Sequence, residues 1–144
     1  QIAVLSNSTQ LCREDIRQAL AKVDRRILKL DSAIDSTMRL IDQPVNKDLT
    51  VATIAGYLAR WQGHFTLQTC FLRGTYQGQV IDNTTPEELS AWYDVVNELR
   101  PKQVMIYVID RATPVPTLEK ISPEQMQSIA APLRDRGMDV IVSA

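Results

Sequence analysis

The chain has 144 residues, 44% of them apolar and 23% charged, which suits one globular domain with a buried core. A net charge of -1 with both signs interleaved leaves no electrostatic footprint for nucleic acid or an acidic membrane surface. No stretch approaches the roughly 20 apolar residues needed to cross a bilayer, and no basic segment with a cleavage site stands at the start, so a cytoplasmic protein is expected.

The first element is an apolar strand, Ile2-Ala3-Val4-Leu5, which reads as the middle of a βα unit rather than its beginning. Cys12, Ile16, Ala19, Leu20 and Val23 follow at helical spacing, with charged residues opposite them. The segment from Arg26 to Asp31 predicts a second strand, and Ala33 to Ile41 a short helix closed by Pro44. Val51, Ile54, Ala55 and Leu58 define a further helix, whose apolar stripe ends at Trp61. A third strand is predicted from about His64 to Leu72. Phe65, Leu67, Thr69 and Phe71 lie on one face, and Thr66, Gln68 and Cys70 on a more polar one.

Thr85, Pro86 and Glu88 make a capping box for a helix that buries Leu89, Trp92, Tyr93, Val96 and Leu99. The unbroken run Val104 to Ile109 predicts a strand covered on both faces. Ser122, Pro123 and Gln125 open the last helix, Pro132 is placed to kink it and Gly137 to stop it, before a short strand at Val140 to Val142. Strand, turn and helix alternate without linker or repeat, so residues 1–144 are expected to form a single domain built on a parallel sheet.

In such sheets the loops leaving the C-terminal strand ends form the active face. Those exits carry Ser6-Asn7-Ser8-Thr9, Lys29 with Asp31-Ser32, Arg73-Gly74, and Asp110 to Pro114. Most of these are ordinary turn and cap residues, and Gly74 can serve a turn. Lys29 and Gln68 are different, because an ammonium and an amide inside apolar strands need a buried partner or a ligand. His64 stands at the opposite end of its strand and is read as structural, which leaves no nucleophile–base pair. Neither a G-x-G-x-x-G nor a Walker sequence occurs, and Cys12 and Cys70 are too isolated for a disulfide framework or a metal site. Asn7-Ser8-Thr9 and Asn83-Thr84-Thr85 match the glycosylation sequon by chance.

The exits, taken in order, resemble a known family. Val4-Leu5-Ser6-Asn7-Ser8 resembles the "TNG" strand of radical S-adenosylmethionine (radical SAM) enzymes, and Leu28-Lys29-Leu30-Asp31-Ser32-Ala33 their "SLDA" strand. Ile41-Asp42-Gln43-Pro44 is similar to "INRP", Gln68-Thr69-Cys70-Phe71-Leu72-Arg73-Gly74 to "QTMFxxG", and Tyr107 to Pro114 to "YTxxRxTP". The resemblance covers most of the chain and implies the third to sixth strands of a partial (β/α)6 TIM-like barrel. It implies a parent enzyme that uses a [4Fe-4S] cluster to cleave S-adenosylmethionine to a 5'-deoxyadenosyl radical for hydrogen abstraction.

The family's C-x-x-x-C-x-x-C loop belongs to a strand absent here, so no metal ligand is assigned, neither cofactor is expected to be retained, and the fragment alone is expected to be inactive. By the same resemblance Ser6, Asn7, Ser8, Lys29, Asp31, Gln68 and Cys70 lie at the cofactor, and Arg73 and Arg111 are candidates for substrate binding. Ser8 replaces the family's usual Gly, and Lys29 its usual Ser. A barrel cut before its third strand would expose an edge at Ile2 to Leu5, so self-association as a dimer is expected. The alternative is a stand-alone, non-catalytic α/β module that binds a nucleotide or a partner protein.

Overall fold

The computed structural model describes residues 1–110 and 113–144. In chain order the elements are β1 (Ala3–Ser6), α1 (Glu14–Ala21), β2 (Arg25–Lys29), α2 (Asp35–Asp42), α3 (Val51–Ala59) and β3 (Thr66–Tyr76). They continue with β4 (Gln79–Asp82), α4 (Pro86–Leu99), β5 (Gln103–Val108), β6 (Leu118–Lys120), α5 (Pro123–Asp135) and β7 (Val140–Ser143).

Five strands form a parallel sheet in the order β1-β2-β3-β5-β7, so each new strand is added on the same side of the last. That order distinguishes a barrel-like winding from a doubly wound sheet. In the latter the direction reverses and helices cover both faces, whereas right-handed crossovers that never reverse keep the helices on one face. The core agrees. Val4, Leu28, Leu67, Phe71, Val104, Ile106, Val108 and Val140 alternate along the strands and pack into one cluster with Leu20, Leu58, Trp92, Val96, Met126 and Leu133 from the helices. The chain is thus α/β with a partial, TIM-like parallel sheet that does not close. At the β1 edge Ile2 and Leu5 remain well exposed.

The predicted caps are present. Thr85 Oγ1 accepts from Glu88 N at 3.3 Å, while the Glu88 carboxylate takes the Ser32 hydroxyl at 2.7 Å instead of reaching back to the cap. Pro132 lies inside α5, and Gly137, at φ 82°, follows its end.

Two strands were not predicted. β4 follows a Gln77-Gly78 turn and β6 is three residues long, and both pair antiparallel with β3. They exist because β3 runs on to Tyr76, past the Leu72 boundary the sequence suggests. Gly74 is a strand residue rather than a turn. Its φ of 136° and the approach of the β6 backbone exclude a side chain, since a Cβ there would stand 2.2 Å from Thr117 O.

Candidate functional site

The face of the sheet opposite the helices carries Leu5, Ile27, Lys29, Gln68, Cys70, Met105, Tyr107 and Ile141. Register places Lys29, Gln68, Met105 and Ile141 in one row, and Cys70, Tyr107 and Ser143 in the next toward the strand exits. A groove of about 490 Å³ over this face is lined by Leu5, Ser6, Asn7, Gln10, Ile16, Lys29, Gln68 and Tyr107. Four residues singled out in the sequence, Ser6, Asn7, Lys29 and Gln68, therefore share one groove at the C-terminal strand ends.

Lys29 finds the partner its position demands. Its Nζ is 2.9 Å from Asp31 Oδ2, an ion pair made by charge more than by hydrogen-bond alignment, and the Asp31 side chain is fully buried. Asp31 Oδ1 accepts the Cys70 amide at 2.8 Å. Burial opposes the Lys29 charge, but the Asp31 carboxylate outweighs it and holds the ammonium above its ordinary pKa. Asp42, at the end of α2, faces the same carboxylate. Burial, then the nearby Asp31 carboxylate, push its carboxyl up to about 8, with Lys29 pulling the other way. The outer surface of Asp42 stays open to solvent. Gln68 Oε1 is buried without a hydrogen-bond partner, the orphan acceptor expected of an amide placed for a ligand.

Cys70 and Tyr107 form the next row toward the strand exits. Burial and then the Asp31 charge push the Cys70 thiol up to about 11, and burial pushes the Tyr107 hydroxyl up to about 12. The unfolded chain ionises both groups first, so the stability they contribute is intact below pH 9 and falls as pH rises through 11 to 12. The thiol is also the wrong species for nucleophilic work near neutrality. Cys12 is exposed, and alkylation at pH 8 should modify it at least tenfold faster than buried Cys70, as peptide mass spectrometry would report; equal rates would contradict this geometry.

Ser8 and Arg73 are not in the groove. Ser8 is fully buried at φ 67°, with Oγ unpartnered. This left-handed conformation favours glycine, the residue the resembling family carries there. Ser8→Gly should raise stability by about 1 kcal/mol, from relief of the strained backbone and the buried hydroxyl less the extra unfolded-state entropy. A thermal melt below the parent protein's would refute it. Arg73 turns toward the helix layer and donates to Gln125 Oε1. Arg111 lies outside the described residues.

Three residues of the region carry little signal in the sequence. Tyr107 was hidden in an apolar run, although its spacing from Met105 and Ile109 could have placed it on the polar face. Asp42 gave no signal beyond its family-like stretch. Asn83 stands out in the sequence only as part of a chance sequon, yet it is buried and its amide is fully bonded. His64 sits at the opposite end of the sheet, as its place at the strand entry predicts, beside Asp24, Arg25 and Lys102.

This arrangement of open sheet, one-sided helices and polar exits has a solved counterpart. A crystal structure of a domain of pyruvate-formate lyase-activating enzyme from Bacteroides vulgatus ATCC 8482 matches 99% of this chain and 80% of that one, with a TM-score of 0.70 and 14% identity. The chain has the fold of that domain. GTPase Obg from Brachyspira hyodysenteriae (strain ATCC 49526 / WA1) is 24% identical over 129 residues, 88% of this chain. The chain spans only 18% of that protein's length. No family model matches. Among the described residues no group of three or more His, Cys, Asp or Glu side chains could hold a metal ion, and no helix is long and apolar enough to cross a membrane.

Proposed function

We propose that the chain is part of the barrel of a radical SAM enzyme, the class of the pyruvate-formate lyase-activating enzyme whose domain shares its fold. The observation that carries this reading is the convergence of Ser6, Asn7, Lys29 and Gln68 on one groove, at exits whose sequences follow the family's order.

The donor set fits S-adenosylmethionine. Lys29 would donate to a carboxylate or ribose hydroxyl, and the orphan Gln68 Oε1 would accept from an amine or hydroxyl after a small side-chain shift. Asp31 would hold Lys29 charged and in place without touching the ligand itself, and Ser6 and Asn7 would line the rim. When bound beside a reduced cluster, S-adenosylmethionine supplies a 5'-deoxyadenosyl radical. The cluster does not fit this stretch of chain: exposed Cys12 and buried Cys70 offer no thiolate set. No step is therefore assigned to these residues beyond binding and orientation.

The likeness to GTPase Obg favours a second reading, a nucleotide-binding module. It is the weaker one, because this sequence has no glycine-rich phosphate loop ahead of a helix. The coding sequence upstream of Gln1 tests the first reading. A C-x-x-x-C-x-x-C motif about 60 to 90 residues upstream, the span of two βα units, is the expected result. A start codon directly before Gln1 would overturn it in favour of the second.

A further inference from the structure

The β2–β3 ladder ends within the groove. Its last pair is Lys29 with Gln68, followed by a bond from Leu30 N to Gln68 O at 3.0 Å. Beyond it, side chains stand in for the missing ladder. The Asp31 carboxylate accepts Cys70 N at 2.8 Å. The Asn83 amide fills the opening: its Nδ2 donates to Asp31 O at 2.8 Å and to Cys70 O at 2.7 Å, and its Oδ1 accepts Leu72 N at 2.9 Å. Asn83 thereby bonds only to backbone, on both sides of the gap, and is itself buried.

We propose that Asn83 is a positioning residue for the groove, its amide wedged between the β2 exit and β3 so that the Asp31 carboxylate is aimed at Lys29 and Cys70. This rests on reading the groove as a ligand site. It gives the antiparallel β3–β4 hairpin, which adds nothing to the parallel sheet, a part in the site's geometry. Both amide protons and the amide oxygen are spent on main chain, so Asn83 has nothing left with which to bind a ligand directly.

The test reads the Asp31 carboxylate through its neighbour Cys70 and needs no cofactor. In a Cys12→Ser background, the alkylation rate of Cys70 is followed against pH for the parent, Asn83→Ala, Asn83→Leu and a distant core variant, Val96→Ala. Asn83→Leu keeps the approximate shape, adds no charge and loses both donors and the acceptor. The expected result is an alkylation rate at pH 8 at least tenfold higher in both folded Asn83 variants, with the titration midpoint displaced toward the ordinary thiol range. Val96→Ala should keep the parent midpoint.

An unchanged midpoint in folded Asn83 variants overturns the proposal, and so does an equal displacement in Val96→Ala, which would mark general loosening. Should both Asn83 variants fail to fold, the intact protein decides. The two Asn83 side-chain amide protons should exchange with solvent at least a hundredfold more slowly than exposed amides, and fast exchange overturns the proposal. None of these outcomes depends on what lies upstream of Gln1, so failure here is distinct from failure of the radical-enzyme reading.

Discussion

Asp31→Ala is expected to lower the stability of the protein by about 3 kcal/mol, the low end for breaking a buried ion pair, because Lys29 keeps some contact with solvent. Two losses add up. The Lys29 ammonium is left half-buried beside no countercharge except Asp42, and the Cys70 amide loses its only acceptor at 2.8 Å in a buried position. Urea unfolding monitored by Trp fluorescence measures the effect, and a loss below about 1 kcal/mol would show that the pair is solvated in solution. Asp31→Asn should fall between the two, since its amide oxygen can still accept from Cys70. The alanine variant should also bring the Asp42 carboxyl back toward the ordinary range, because it removes the neighbouring carboxylate that disfavours its charge. Stability withheld by that raised carboxyl as pH climbs from about 4 to about 8 would then return.

Gly74→Ala is expected to be as damaging, by a different route. The new Cβ would meet Thr117 O at 2.2 Å and Leu118 Cα at 2.8 Å, main-chain atoms at the start of β6. It would also sit at φ 136°, a backbone conformation that disfavours any side chain. Flexible side chains cannot absorb this, so β6 must separate from β3 and the bond from Thr75 N to Thr117 O at 3.2 Å is lost. Overpacking together with backbone strain comes to about 3 kcal/mol. Loss of slow amide exchange at Leu118 to Lys120, together with a lower melting temperature, would register it. A melting temperature unchanged within about 2 °C would mean that the two segments are not packed as described.

The parallel sheet was legible because strands buried on the helix side announce themselves by alternation. Leu67, Thr69 and Phe71 against Gln68 and Cys70 is such a pattern, and it gave both the face and the polarity of the groove. Lys29 and Gln68 were legible for the opposite reason, as polar groups where the pattern demands apolar ones. The antiparallel additions were not legible. β4 and β6 are short with no clear apolar alternation, and β6 lies against a glycine near the end of β3 that is equally at home in a turn. Asn83 was beyond reach on principle. Its three bonds run to backbone groups 11 to 52 residues away, and a backbone partner leaves no trace in side-chain periodicity.

β3 hydrogen-bonds with four other strands, β2 and β5 along its first half, β4 and β6 along its second. Such a strand is a keystone. β1 and β7 each hold one neighbour and can fray from the rim inward, by local openings that leave the row through Lys29 and Gln68 intact. An opening of β3 has no such confinement, because releasing it undoes the groove and the hairpin in one cooperative event. The groove floor therefore borrows the rigidity of the most constrained segment in the molecule, while whatever plasticity the site needs is left to the first and last strands.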